Sequence, residues 1–211
     1  MPLPHEEQRL AAGHDFFTHI HYEQTSIARP VMLTLLDLAI EIAREGREGR
    51  KIGTLFVVGD EEEVVKRSRC LILDPLLGHP KASKKLTNPN LRETVKELAQ
   101  LDGGFLVSAD GYVLSATRYF NATSFDLDLL LGLGTRHIAA ASITKETKAL
   151  AVVVSESAIV RVFSSGMLIA EILPELWLLS QYSSHVKRPK LTEHPRENIA
   201  VIASEDDETG K

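Results

Sequence analysis

The sequence predicts an α/β chain of the α+β type, with a mixed, largely antiparallel central sheet flanked by helices. Three observations predict it. Short apolar runs rich in β-branched residues, such as Ile52–Val58 and Leu150–Val154, alternate with segments of helical period. The runs Leu150–Val154, Ile159–Phe163 and Met167–Ala170 follow one another with only tight turns between them, as in an antiparallel meander. Strands interrupted by helices and then followed by a meander are best satisfied by one sheet covered by helices.

The elements follow in order. Met1–Arg29 is polar, rich in histidine and without sustained period, and is expected to be an irregular or partly helical arm. Pro30 sits at a helix start, and Val31, Leu35, Leu38 and Ile42 recur at helical spacing, so Val31–Arg44 is predicted as an amphipathic helix. Glu45–Lys51, punctuated by Gly46 and Gly49, ends it as a solvated loop. Ile52–Val58 is a buried strand, and Asp60 is expected to cap a helix running to Arg67. Leu71–Lys85 carries Asp74-Pro75 and His79-Pro80 and reads as a loop. Asn90 can cap a helix through Gln100, with Leu91, Val95 and Leu98 on one face.

Gly104–Val107 and Tyr112–Ala116 are two strands joined by the Asp110-Gly111 turn. Leu127–Leu133 leads into a helix that opens near Gly134–His137, and the meander follows it. Beyond Glu171 the pattern weakens. Leu173–Leu179 is short and limited by Pro174, Asn198–Ala203 reads as one more strand, and Ser204–Lys211 as a polar tail. The division expected is an arm and helix over 1–50, a central domain over 51–172 and an extension over 173–211.

Composition bounds the function. Hydrophobic residues make up 44% and charged residues 25% of the 211 residues, the balance of a globular protein with a full core. A formal net charge of −5 gives no global basic field, so a nucleic acid polymer is not an expected partner. Cys70 is the single cysteine, which excludes an intrachain disulfide and fits a cytoplasmic setting. No apolar run is long enough to span a bilayer, and Met1–Arg9 lacks the apolar stretch of a signal peptide.

The residues that point to chemistry lie between Leu101 and Phe163. Asp102-Gly103-Gly104 places a carboxylate beside two glycines, and Gly134-Thr135-Arg136-His137 opens an alanine-rich helical run. Glycine allows close approach of a phosphate, free N–H groups at a helix start face an anion, and arginine offers a planar fork of donors. Asp102 could hold a divalent metal or orient a hydroxyl; equally, it could be an ordinary turn residue. Thr135–His137 could be a plain helix start. Arginine in a first helical turn opposes the dipole, a small cost that an anion would offset. His19-Ile20-His21 could place two imidazoles on one strand face, but no cysteine or carboxylate completes a ligand set.

These segments resemble the diadenylate cyclase domain. Its signatures, Asp-Gly-Ala, Gly-Thr-Arg-His-Arg-x-Ala and a strand ending in Val-Ser, correspond to Asp102–Gly104, Gly134–Ala140 and Val152–Glu156, and Gly53–Asp60 is similar to its first strand. The resemblance covers roughly Gly53 to Glu171. It implies condensation of two ATP molecules into cyclic di-AMP, with Mg2+ or Mn2+ bound at Asp102 and with Asp102, Arg136 and His137 as catalytic residues. It further implies that Gly103, Gly104, Tyr119, Phe120, Gly134, Thr135, Ser155 and Glu156 contact the nucleotide, with adenine near Tyr119 and Phe120. Two half-sites must face each other, so an even-numbered homo-oligomer is expected.

There are departures. Ile138 stands where the family has a second arginine, Ser157 where it often has a second glutamate, and Gly104 where it has alanine. Arg118, Lys145 and Lys148 are the nearby cations that could replace the missing charge. The alternative reading is a catalytically weak or inactive regulatory protein that binds ATP or cyclic di-AMP.

Overall fold

The computed structural model describes residues 26–121 and 134–174, together with the backbone of two strands at 189–194 and 199–204. The arm up to residue 25, with His19 and His21, the Leu127–Leu133 approach and Trp177 lie outside the described residues.

Seven strands form one sheet in the order β2-β4-β3-β1-β5-β6-β7. They are β1 (Thr54–Val58), β2 (Ser68–Cys70), β3 (Gly104–Val107), β4 (Val113–Phe120), β5 (Leu150–Val154), β6 (Val160–Ser164) and β7 (Met167–Ile172). Only β1 and β3 run parallel; every other neighbouring pair is antiparallel. The mixed, largely antiparallel sheet is therefore the one the sequence predicts.

All five residues of β1 and of β5 are buried, because both faces of the sheet centre are covered. On one face Leu55, Val57, Ala151, Val153 and Phe163 pack under Ala140, Ala141 and Ile143 of helix α4 (Thr135–Glu146). Alanines at the contact let this helix lie close to the strands. Alternate residues such as Phe56 and Val152 point to the opposite face. Phe56 stacks there on Phe105 of β3 with ring centroids 4.9 Å apart. Helix α1 (Arg29–Glu45) covers that side against β5 and β6, burying Leu35, Leu36, Leu38 and Ile42.

Local chemistry moves several boundaries. Helix α2 (Glu61–Lys66) begins after Asp60, but Asp60 does not cap it. Its backbone is left-handed at φ 47°, and its Oδ2 accepts the Lys148 N–H at 2.7 Å, tying the start of β5 to the end of β1. Helix α3 (Pro89–Leu98) is capped by Asn88 rather than Asn90, because Pro89 takes the first helical position. Strand β4 runs four residues past Ala116, since β2, which the sequence did not announce, pairs with Arg118, Tyr119 and Phe120. Pro189–His194 (β8) and Ile199–Ser204 (β9) form a separate antiparallel hairpin, the second of which the sequence anticipated.

Helices α1 and α3 are joined by charge. Lys96 is nearly buried, with its ammonium about 3 Å from carboxylates of Glu41, Glu45 and Glu93. Burial opposes its charge, but the three carboxylates prevail and raise its pKa above the ordinary lysine value. Arg92 pairs with Glu41, and Arg47 with Glu93 and Glu97. This matters downstream because α3 delivers the chain to Asp102. Lys96→Met should therefore lower unfolding stability at neutral pH by about 1–3 kcal/mol, through three carboxylates left facing one another. Chemical denaturation at pH 7 and in mild acid checks this; the loss should shrink in acid, where the carboxylates are neutral.

Candidate active site

Strand direction collects the residues singled out in the sequence. β1 pairs Thr54 with Val154 of antiparallel β5, so Gly53 lies beside Ser155. β3 is parallel to β1, and Gly104 pairs with Arg118 of antiparallel β4. The starts of β1 and β3 and the ends of β4 and β5 therefore share one end of the sheet. Asp102–Gly104, Arg118–Phe120, Gly53 and Ser155–Glu156 all sit there.

Two glycines make this end tight. Gly103 has φ +96°, and a Cβ on it would fall 2.7 Å from the Thr117 carbonyl carbon. A Cβ on Gly104 would fall 2.5 Å from the Leu55 carbonyl oxygen and 3.1 Å from the Phe120 ring. Only glycine permits these backbone approaches without displacement. Here the family's alanine would have to push β1 away, so Gly104 is matched to this chain's own packing. The opposing strand yields as well: β4 is irregular against β3, and Thr117 adopts φ 53°, unusual for a β-branched residue. Its hydroxyl is buried and without a partner. Such strain concentrates at functional sites.

Asp102 is exposed just before β3 and has no hydrogen-bond or ion-pair partner among the described residues. Tyr119 is 41% exposed, and the Arg69 guanidinium lies 5.1 Å over its ring. Phe120 is buried in the core cluster beneath α4. Neighbouring strand residues point to opposite faces, which explains the contrast.

The phosphate-type residues form a second group. Gly134 is the N-cap of α4 in extended backbone, with open space where a Cβ would be. Arg136, in the first turn, reaches back over the start of β1: a Cβ on Gly53 would lie 2.7 Å from its Nη1. The same nitrogen lies 3.5 Å from Glu156, whose side chain is 75% exposed. Ser155 Oγ is 2.7 Å from Ser157 Oγ and accepts the Ile159 N–H at 3.2 Å, which shapes the β5–β6 turn. Gly53 is a site residue the sequence did not single out; its position before a buried strand was the available signal.

His137 points inward. It is 7% exposed, edge-on to Phe163, and its Nε2 lies 3.1 Å from Nη1 of Arg161 on β6. Burial, then the Arg161 charge, lower its pKa below the ordinary histidine value; the Gly134 carbonyl opposes this without reaching hydrogen-bond geometry with Nδ1. Arg161, which lies in the strand predicted over Ile159–Phe163, also pairs with Glu171 of β7.

Of the three cations that could replace the charge missing at position 138, Arg118 shares the sheet end with Gly104, but its guanidinium is committed to β2 and β4. It donates to Ser68 and Ser115 and holds β2 to the sheet. Lys145 and Lys148 lie at the far end of α4, whose 12 residues span about 18 Å.

The chain matches the family model described as "DAC: DisA bacterial checkpoint controller nucleotide-binding" over residues 41–168. The chain belongs to this family. It is 44% identical over 146 residues to a diadenylate cyclase of Methanocaldococcus jannaschii, covering 69% of this chain and 46% of that protein. It is 38% identical over 174 residues to a diadenylate cyclase of Haloferax volcanii, covering 82% of this chain and 61% of that one. The chain thus spans roughly half to three fifths of these relatives. A solved structure of a hypothetical membrane spanning protein from Bacillus cereus shares the fold, with TM-score 0.52, 21% identity, and coverage of 78% of this chain and 72% of that one. In this chain no described helix is long and apolar enough to cross a membrane.

The buried His137 gives a pH signature. Its folded pKa lies below the unfolded value of 6.5, so the unfolded chain binds the proton more tightly. This contribution to stability is intact above 6.5 and is lost as pH falls below it toward the folded pKa. The His137 ring should titrate below 6.5 by NMR; a resonance titrating above that value contradicts the buried, cation-facing placement.

Proposed function

We propose that the chain condenses two ATP molecules into cyclic di-AMP and releases two pyrophosphates. The observation that carries this is the convergence at one sheet end of an unpartnered carboxylate, a backbone trough made by glycines, and a helix start bearing arginine. Membership in the family supports it.

In this reading each subunit holds one ATP. The triphosphate lies at Gly134–Arg136 and Ser155, where free helix N–H groups, the Arg136 fork and a hydroxyl can meet its oxygens. Glu156, exposed and only loosely paired, can exchange Arg136 for the ligand. The ribose lies along Gly103–Gly104, where the absence of side chains admits it. Tyr119 offers an exposed ring for adenine stacking, and Phe120 forms the floor beneath Gly104.

Asp102 faces the ribose 3′-hydroxyl and draws its proton as the oxygen attacks the α-phosphorus of the other nucleotide. The bond from that phosphorus to pyrophosphate breaks, and Arg136 offsets charge on the departing oxygens. Asp102 is the residue that would hold Mg2+ or Mn2+ brought in with the substrate, and the ion would supply charge neutralisation there. No set of three metal-ligating side chains occurs among the described residues, and Mg2+ is commonly bound by one or two carboxylates plus phosphate oxygens.

Two equivalent 3′–5′ bonds require two sites face to face, hence two copies of the chain. The loop after β2 offers apolar area for such a contact. Leu71 is held to Thr117, beside Gly103, and Leu73 and Leu77 are 92% and 81% exposed. The loop is rigidly presented, because Asp74 Oδ1 accepts the N–H groups of Leu76 and Ala116.

The second reading, a binding protein with weak or no turnover, is favoured by Ile138 and Ser157, which stand where the family has an arginine and often a second glutamate. Incubation with ATP and Mg2+ or Mn2+, followed by mass detection of cyclic di-AMP, decides between them. Asp102→Asn should abolish product while leaving the melting temperature unchanged, because an exposed, unpartnered carboxylate adds little to stability. Normal yield from this variant would remove Asp102 from the mechanism.

Rate per subunit should also rise with protein concentration until paired copies saturate. A rate per subunit that stays constant far below any association measured by light scattering would rule out the two-site mechanism.

A further inference from the structure

We propose that Arg161 is the second cation of the phosphate site, and that His137 is a positioning residue that holds it there. The inference rests on the nucleotide-binding reading above, and it reverses the roles that the order of residues suggests. Position 138 lacks a cation, yet a triphosphate needs more than Arg136, which is itself shared with Glu156.

Register places Arg161 where a cation is needed. It pairs with Val153, which packs under α4, and Ser155 lies two residues along on the same face. Its side chain reaches the first turn of α4, where Nη1 meets His137. Only 13% of it is exposed, so its charge acts in a poorly hydrated setting.

The bond to His137 fixes the histidine's state. A guanidinium only donates, so Nε2 accepts and the ring proton lies on Nδ1. Nδ1 is sealed inside, on the Gly134 side. With both nitrogens committed inward and 7% of the residue exposed, His137 has no face left for a ligand. Arg161 does: Nη1 meets His137 and Nε meets Glu171, while Nη2 has no partner among the described residues. A guanidinium drawn this far from water with one carboxylate for company is costly unless an anion joins it. The other nearby cations are committed to β2 or lie at the far end of α4.

The test reads binding apart from chemistry by using 3′-deoxy-ATP with Mg2+, which carries the triphosphate but no attacking hydroxyl. Calorimetry would compare the parent chain with Arg161→Gln, Arg161→Lys, Glu171→Gln and the pair Arg161→Gln/Ile138→Arg, each checked for folding by thermal melting. Arg161→Gln should weaken binding by about tenfold to a hundredfold, as loss of a charge-assisted contact does. Arg161→Lys, which keeps the charge without the fork, should fall between. Ile138→Arg should restore most of the affinity in the Arg161→Gln background, and Glu171→Gln should lose less than Arg161→Gln. His137→Gln, which keeps an acceptor for Arg161, should bind better than His137→Leu.

Arg161→Gln binding as tightly as the parent would overturn the inference. So would a Glu171→Gln loss equal to that of Arg161→Gln with no rescue by Ile138→Arg, since Arg161 would then only pin β7. Loss on Arg161→Gln with rescue, but no cyclic di-AMP from ATP, would overturn the proposed reaction and leave Arg161 in place.

Discussion

Backbone meeting backbone at one end of the sheet is the constraint on which the site depends. Gly104 lies against the Leu55 carbonyl and Gly103 against the Thr117–Arg118 peptide, with no side chain between. This closeness pulls β3 in beside β1 and drives β4 into an irregular register, with Thr117 in a left-handed conformation. From it follow the outward Tyr119, the inward Phe120 and an Asp102 left exposed at the mouth. A methyl group at Gly104 would press on the strand whose neighbour carries the phosphate-type residues.

Rigid packing holds this arrangement from both sides. Helix α4 lies flat on the sheet through alanines, so its first turn is set by the core rather than by a capping side chain; Gly134 makes no side-chain cap. That leaves N–H groups at the helix start free for an anion. On the other face, α1 and α3 are clamped through Lys96, and α3 fixes where the chain enters Asp102. Scaffold and site are thus coupled through the chain segments that connect them, without shared side chains.

In the proposed site, charge is distributed over elements distant in sequence. Arg136 comes from a helix, Glu156 from a turn and Arg161 from a strand, with His137 as the buried link between helix and strand. A neutral histidine under a helix start can accept from a guanidinium where a second arginine on the helix would have to fold back against the dipole. Moving a cation from helix to strand is a way to keep charge near a phosphate while leaving an apolar residue at position 138.

The sequence by itself determined the mixed sheet, the position of α1 and the meander, and it named Asp102–Gly104 and Gly134–His137 as the segments to look for. Each rests on local patterns: period, β-branched runs, glycine turns and motif order. The tertiary structure decided what depends on residues far apart in the chain. Strand β2 is a three-residue strand made by pairing with the end of β4, with no apolar run of its own to announce it. Asp60, a good cap by its neighbours, was diverted to Lys148 across the sheet end. Gly53, Arg161 and the inward turn of His137 became visible only when β1, β5 and β6 stood side by side. Local propensity fixes which strand or helix forms, but which side chains meet at its end is set by register between strands, and register is a property of the packed chain.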